Sequence, residues 1–519
     1  MSAPLPLGIS DFAKLRGLGA LYVDKTAQIA EMLACGGYLF LARPRRFGKS
    51  LLCSTLRALY EGRRELFAGL AIEPRWDWQR RHPVLHLTLA LDCTSAEELR
   101  QALVRQVQAA ARAAALDLAG SCLPGESLLE LIRALQRRSG RRVVVLIDEY
   151  DKPVHDHLEQ PALARALRDV LAGFYGALKA CDGELELLFL TGVGRLVRSS
   201  VFSALNQVRD LTLHPATATL LGYTEDELQR AFAPWLEQLA RQHRLSLEQA
   251  LERLRARYDG YRWGGAQRVY NPWSVLSCLA EGGFGSWWWS TGTPRWLVEL
   301  AQRLGAVEDL SAGVWASDLA LHLDIDELKL VPLLWNTGYL TVQEQREQLY
   351  RLGFPNAEVR EAWHGMLLDR LAPGLLEGGS TVAQRLHLAL IAGDEDEFRR
   401  ALAALFAALP ASLQVPREAY YHSVFLAALQ AIGARVLAEP GSWRGRADAV
   451  VETPRAVYII EMKLGSAEDA LQQIRERGYH QPYAADPRAL VLVGIGGLAD
   501  RQVDCRWLQL RPPTTEAAR

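Results

Sequence analysis

The sequence predicts an α/β protein whose first domain is built on a parallel sheet, and three observations carry that reading. Tyr38–Ala42, Pro83–Leu89, Val143–Ile147 and Leu187–Thr191 are short, largely apolar runs rich in branched residues. Strands buried on both faces look like this, whereas half-exposed strands alternate. Longer amphipathic stretches lie among them, so β and α elements alternate as crossover connections require. Finally, 519 residues exceed what one core accommodates, and about two to four domains are expected.

Taken in order, Tyr38–Ala42 is the first strand, and Lys49 to Glu61 has helical spacing through Leu51, Leu52, Leu56 and Leu59. Pro83–Leu89 is the second strand, and Ala96–Ala115 is a helix with a polar face around Glu97, Glu98, Arg100 and Arg105. After His214–Pro215 the texture changes. Thr224-Glu-Asp-Glu227 is a capping box opening a helix over Glu225–His243, followed by another near Leu247–Tyr258. Trp315–Leu340 reads as helix, helix and short strand, the order of a winged-helix module. Helices resume over Thr381–Leu409. From Tyr420 come a helix, strands near Arg435–Glu439, Ala447–Glu452 and Ala456–Lys463, a helix over Ala467–Arg477 and a closing strand at Leu490–Ile495. The tail Pro512–Arg519 is expected to be disordered.

Composition excludes several classes. Net charge is −1, so no global positive field recruits nucleic acid and any polyanion needs a local basic patch. The seven cysteines form no C-x-x-C pair, which speaks against a zinc site or disulfide framework and for a reducing compartment. The first residues lack the basic start and apolar run of a signal peptide, and no apolar stretch reaches roughly 18 residues. No membrane span and a cytoplasmic location are therefore expected.

The motif with the clearest chemistry is Arg43-Pro44-Arg45-Arg46-Phe47-Gly48-Lys49-Ser50, between a strand and a helix. Backbone N–H groups of such a loop, with the helix N-terminus, cradle phosphate oxygens. Lys49 is placed to neutralise β/γ-phosphates and Ser50 to ligate Mg²⁺. Arg43 stands where the usual pattern has glycine. A basic turn capping a surface helix is the plain alternative, but Val143–Ile147 ends in Asp148 and Glu149. Such acids hold Mg²⁺ through water and polarise the attacking water, respectively. Thr191, ending the Leu187 run, suits a polar sensor near the γ-phosphate. Arg195 and Arg198 follow and are candidates to reach a phosphate in the same subunit or in a neighbour within a homo-oligomer.

A second constellation comprises Glu439, Gly445-Arg446-Ala447-Asp448, Glu461-Met462-Lys463, Gln473 and Tyr479. Strand alternation projects Glu461 and Lys463 together and turns Met462 into the core. A hairpin over Thr453–Pro454 would bring Asp448 beside Glu461. Two carboxylates and a lysine on one face suit metal-assisted phosphodiester hydrolysis: Asp448 and Glu461 as Mg²⁺ ligands, Lys463 positioning water or assisting its deprotonation, and Gln473 orienting Lys463 or the scissile phosphate. Glu439 would support the metal. Arg444, Arg446, Arg475 and Arg477 are phosphate-contact candidates or a solvated face. Trp287-Trp288-Trp289 fits interdomain packing better than a stacking platform, and isolated histidines default to structural roles, with His422 the one to test.

These motifs together resemble the predicted bacterial AAA-ATPase-like proteins that carry a C-terminal PD-(D/E)XK nuclease-superfamily domain. Further marks are Tyr22-Val-Asp24-Lys25-Thr26, Leu146-Ile-Asp-Glu-Tyr-Asp151, Ser203-Ala-Leu-Asn206, Tyr258-Asp-Gly-Tyr261, Tyr270-Asn-Pro272, Leu352-Gly-Phe-Pro-Asn-Ala-Glu-Val-Arg360 and Tyr420-Tyr-His422. The resemblance implies an AAA-type core over 1–215, a helical lid and winged-helix region over 216–375, and a nuclease-like domain over 376–519. In that family arginine at the first loop position is usual, and Asp24–Thr26 is expected near the adenine or phosphate end. The expected activity is ATP binding and hydrolysis coupled to a Mg²⁺-dependent nuclease acting on DNA. The alternatives are a nucleotide-gated scaffold that binds nucleic acid without cutting it and an ATPase regulating a protein partner.

Overall fold

The computed structural model describes residues 3–118, 122–195, 207–288, 297, 313–371, 382–407, 418–431, 435–438, 441–442, 445–498 and 503–512. Two compact units are formed: Met1–Thr291 with Val314–Asn356, and Gly292–Gly313 with Ala357–Arg519.

In the first unit five strands, β1 (Tyr38–Ala42), β2 (Val84–Thr88), β3 (Val143–Asp148), β4 (Leu185–Gly192) and β5 (Arg209–Asp210), form a sheet ordered β2-β3-β4-β1-β5. Every pairing is parallel. β4 is thus inserted between the strand leading to the phosphate loop and the strand ending in acids. All six residues of β3 are buried, which explains its uninterrupted apolar run. The lid is helical, but Glu225–His243 is two helices, Glu225–Ala231 and Ala233–His243. Pro234 lacks the N–H a continuous helix needs, and the chain breaks at Phe232. Both pack with Leu247–Tyr258 and Pro272–Glu281 around Phe232, Leu236, Leu254 and Tyr258.

The Trp315–Leu340 region departs from expectation. It holds β6 (Val314–Ser317), a 3-10 turn and one helix, Leu330–Thr337; β7 (Thr341–Arg346) and β8 (Leu349–Gly353) complete an antiparallel sheet ordered β6-β8-β7. Asp324 accepts from the Asp326 N–H at 2.9 Å, a local turn that diverts the chain from a second helix. Leu330, Pro332, Leu333, Leu334, Trp335 and Asn336 are all buried.

The second unit carries helices Ala357–Leu371, Val382–Ala392, Glu395–Ala407 and Glu418–Ala431, then β9 (Arg435–Ala438), the short pair β10 (Gly441–Ser442) and β11 (Gly445–Arg446), β12 (Ala449–Glu452), β13 (Ala456–Met462), helix Ala467–Arg477, β14 (Ala489–Gly496) and β15 (Asp504–Arg511). The sheet order is β15-β14-β13-β12-β9, mixed because only β13 and β14 run parallel. Leu490–Ile495 does not close the domain; β15 follows it on the sheet edge.

Candidate functional site

Loop and acids meet in one cleft of about 480 Å³, lined by Arg45, Arg46, Gly48, Lys49, Ser50, Glu149, Asp151 and Lys152, and by Trp273 and Leu276 of the lid. Residues Pro6 to Ser10 of the N-terminal segment contribute another wall. Gly48 caps the helix Lys49–Tyr60 at φ 91°, a left-handed conformation natural to glycine. Lys49 is buried, and its ammonium donates to the carbonyls of Arg43 and Pro44, both at 3.0 Å. Burial pushes its pKa down, while Asp148, Asp151 and Glu149 oppose this. Asp148 is buried at the end of β3 and accepts from the Glu149 N–H at 3.0 Å. Glu149 takes φ 54°, an uncommon state for a non-glycine residue, and its carboxyl is pushed up by burial and then by Asp148.

Two expected phosphate-site residues are placed elsewhere. Arg43 is fully buried: its guanidinium donates to the carbonyls of Ala42, Thr212 and Thr217, each at 2.8 Å, and lies 4.2 Å from the Trp263 ring centroid. These three hydrogen bonds hold the side chain in the interior, although its Nε has no partner among the described residues. Thr191 is also fully buried, and its hydroxyl donates to the Leu41 carbonyl across the β1–β4 pair at 2.8 Å. Phe47 is turned inward as well, its ring 4.8 Å from Tyr261 and 5.0 Å from Trp263. Pro44, Phe47 and Asp148 do not line the cleft surface. Arg195 pairs with Asp210 at 3.1 Å, and Arg198 lies outside the described residues, as do Glu439, Arg444, Trp289 and the tail from residue 513.

Asp24–Thr26 is a tether. Asp24 accepts from Thr26 and from the Ala71 N–H, whereas buried Lys25 pairs with Glu227 of the lid at 2.6 Å and donates to Thr219. One residue without an assigned role is central: Asp151, one of the family marks. It is buried and accepts from the N–H groups of Val193 and Gly194 at 3.0 and 2.9 Å, holding the end of β4 to the end of β3. Burial pushes its carboxyl up to about 6, against those hydrogen bonds. A Cβ at Gly192 would fall on the Asp151 carboxylate, which accounts for glycine after Thr191.

In the second unit the β12–β13 hairpin brings the expected carboxylates together. The Asp448 N–H donates to Glu461 at 3.2 Å, and Asp448 in turn accepts from the Met462 N–H at 2.6 Å. Lys463 Nζ lies 3.7 Å from Glu461, and the Gln473 amide donates to the same carboxylate, with the Tyr479 hydroxyl 3.5 Å from Gln473. Met462 is buried as strand alternation requires. Gly494, in register with Glu461, lets the helix bearing Gln473 lie close: a Cβ there would fall on the Ala467 carbonyl. His422 joins this group, its Nε2 2.7 Å from the Asp448 carbonyl oxygen. Arg446 belongs to β11, while Arg475 and Arg477 are exposed on the Gln473 helix. Two carboxylates from adjoining strands form a hard oxygen set that fits Mg²⁺, an ion that keeps several waters and needs few protein ligands.

A phosphate-loop core with an inserted strand, joined in one chain to a strand-borne Asp/Glu-x-Lys site, defines an ATPase-like protein with a nuclease-type domain. Residues 6–202 match the family model described as predicted AAA-ATPase, and residues 416–507 match the PD-(D/E)XK nuclease superfamily. The chain is also 36% identical over 511 residues, covering 95% of its length and 96% of the relative, to an "Uncharacterized protein in vnfD 5'region" of Azotobacter chroococcum mcd 1. It belongs to this family of predicted AAA-ATPases with a C-terminal PD-(D/E)XK domain. No solved structure matches it.

Proposed function

We propose that this protein binds and hydrolyses ATP in the cleft between the phosphate loop and the lid, and that nucleotide turnover controls Mg²⁺-dependent cleavage of DNA by the second unit. The observation that supports this most is the gathering of Lys49 and Ser50 with Glu149, about 100 residues further along the chain, around a single cleft. Lys49 and the loop N–H groups bind the phosphates, Ser50 would hold Mg²⁺ directly and Asp148, buried at the end of β3, through water, and Glu149 orients the attacking water. In the second unit Asp448 and Glu461 are the groups for the metal. Bound there, Mg²⁺ would supply charge stabilisation at the scissile phosphate and an activated water. Lys463 positions that water, and Gln473 fixes the Glu461 carboxylate. Among the described residues no helix is long and apolar enough to cross a membrane.

The test is a cleavage assay with Mg²⁺ or Mn²⁺ on DNA and RNA, with and without ATP, using wild type, Lys49→Ala and Lys463→Ala. DNA cleavage that Lys463→Ala abolishes and Lys49→Ala uncouples from ATP is expected. A wild-type protein that turns over ATP yet cuts no nucleic acid would overturn the nuclease half.

A further inference from the structure

Arg46 combines three features that the phosphate loop alone does not explain. Its backbone sits at φ 69°, a conformation that L residues rarely adopt and that glycine takes freely. Its guanidinium carbon lies 3.8 Å from the ring centroid of Trp273, in the first turn of the lid helix Pro272–Glu281. Its Nη1 is buried with no hydrogen-bond partner among the described residues. Both side chains line the same cleft as Lys49 and Ser50. Trp273 is itself held in place, because Asn271 caps that helix by accepting from the Ser274 N–H at 3.1 Å.

A guanidinium with an unsatisfied donor is poised for an anionic acceptor. We infer that the Arg46–Trp273 stack is a latch between the phosphate loop and the lid, and that the phosphate chain of a bound nucleoside triphosphate competes with the indole for Arg46. In the empty cleft the ring face holds the cation. When phosphate oxygens occupy the loop, they supply the acceptor that Nη1 lacks. Arg46 then turns to the phosphates, and the lid helix is released from the loop. Trp273 is therefore a determinant of nucleotide affinity that opposes binding. This inference rests on the nucleotide reading of the cleft.

The test is calorimetric titration of the full chain with ATP and with inorganic tripolyphosphate, which has the phosphates but no base. Arg46→Ala removes the phosphate contact and the competing stack together, so it is expected to weaken both ligands by only about 2- to 10-fold, the charge-assisted hydrogen bond less the cation–π contact. Trp273→Leu is expected to tighten both by about 2- to 30-fold, the release of one cation–π contact. Trp273→Phe, which keeps a ring and the fold, should tighten both by a smaller factor. If either Trp273 variant weakens ATP while leaving tripolyphosphate unchanged, Trp273 is a platform for the base and the latch is overturned. Unchanged affinities in Trp273→Leu overturn it too. A wild-type protein that binds neither ligand overturns the nucleotide reading itself, and the latch with it.

Discussion

Replacing Asp151 by asparagine gives a pH-dependent stability difference whose sign and size follow from the structure. The carboxylate is buried between β3 and β4, and although Val193 and Gly194 donate to it, burial dominates and raises its pKa from the ordinary 3.8 to about 6. Between these values the native protein keeps a proton that the unfolded chain has released. The stability of the wild type therefore falls as pH rises through this window and levels off above about 6. The full difference is a little over 2 pH units, or about 3 kcal/mol. An asparagine has no such titration. Every other group titrates in both proteins, so subtracting their unfolding free energies isolates residue 151. Urea unfolding of the first unit, measured from pH 4 to 7.5, should show the variant gaining about 2.5 kcal/mol on the wild type as pH rises, since part of the full difference already lies below pH 4. A difference constant to within about 0.5 kcal/mol would refute the assignment of a costly buried charge at this position.

Glu149→Gln should keep ATP affinity within a few-fold while slowing turnover by roughly 10²- to 10⁴-fold, the contribution of a positioned base; normal turnover in single-cycle kinetics would remove Glu149 from the mechanism. Gly494→Ala should cost the second unit about 1–3 kcal/mol by overpacking, because the new methyl falls on the Ala467 carbonyl. It should also reduce cleavage by displacing Gln473 from Glu461, and an unchanged melting temperature with full cleavage would show that the helix tolerates the shift.

Strands β1, β3 and β4 of the first sheet were legible as apolar runs because they are almost wholly buried, whereas β2, at the sheet edge, alternates in burial and β5 is only two polar residues. β15 was not, since Asp504–Arg511 is an edge strand whose polar residues break such a run. The proximity of Asp448, Glu461 and Lys463 was legible, because period-two alternation fixes which residues of Glu461-Met462-Lys463 share a face and a short hairpin fixes their neighbour Asp448. The phosphate loop was legible as a loop but not side chain by side chain. Direction within an irregular turn has no period, so Arg43 and Phe47 could not be told from Arg45 and Arg46 by pattern. Thr191 illustrates a related limit: a hydroxyl at a strand end serves either the cleft or the neighbouring strand, and only the packing decides. Asp151 carried no charge partner in sequence, and its role depends on N–H groups from a strand more than 40 residues away.

The inward turn of Arg43 and Phe47 changes what the phosphate loop is attached to. A minimal loop presents glycine at its first position and touches little beyond its ligand. Here Arg43 and Phe47 both bear on Trp263, Phe47 also meets Tyr261, and these two rings stack on each other at 5.8 Å. The Tyr261 hydroxyl donates to the Gly338 carbonyl at 2.9 Å, at the end of the buried helix Leu330–Thr337. The loop is thus wired by close-packed aromatic contacts to the segment after the lid and to the β6-β8-β7 module. Packed interiors move between discrete arrangements rather than deforming smoothly. Arg46, Gly48 and Lys49 of the same loop line the cleft, while Arg43 and Phe47 join it to Trp263 and Tyr261. The same eight residues divide between a face that lines the cleft and a face packed into the interior, and the arginine at the first position belongs to the interior.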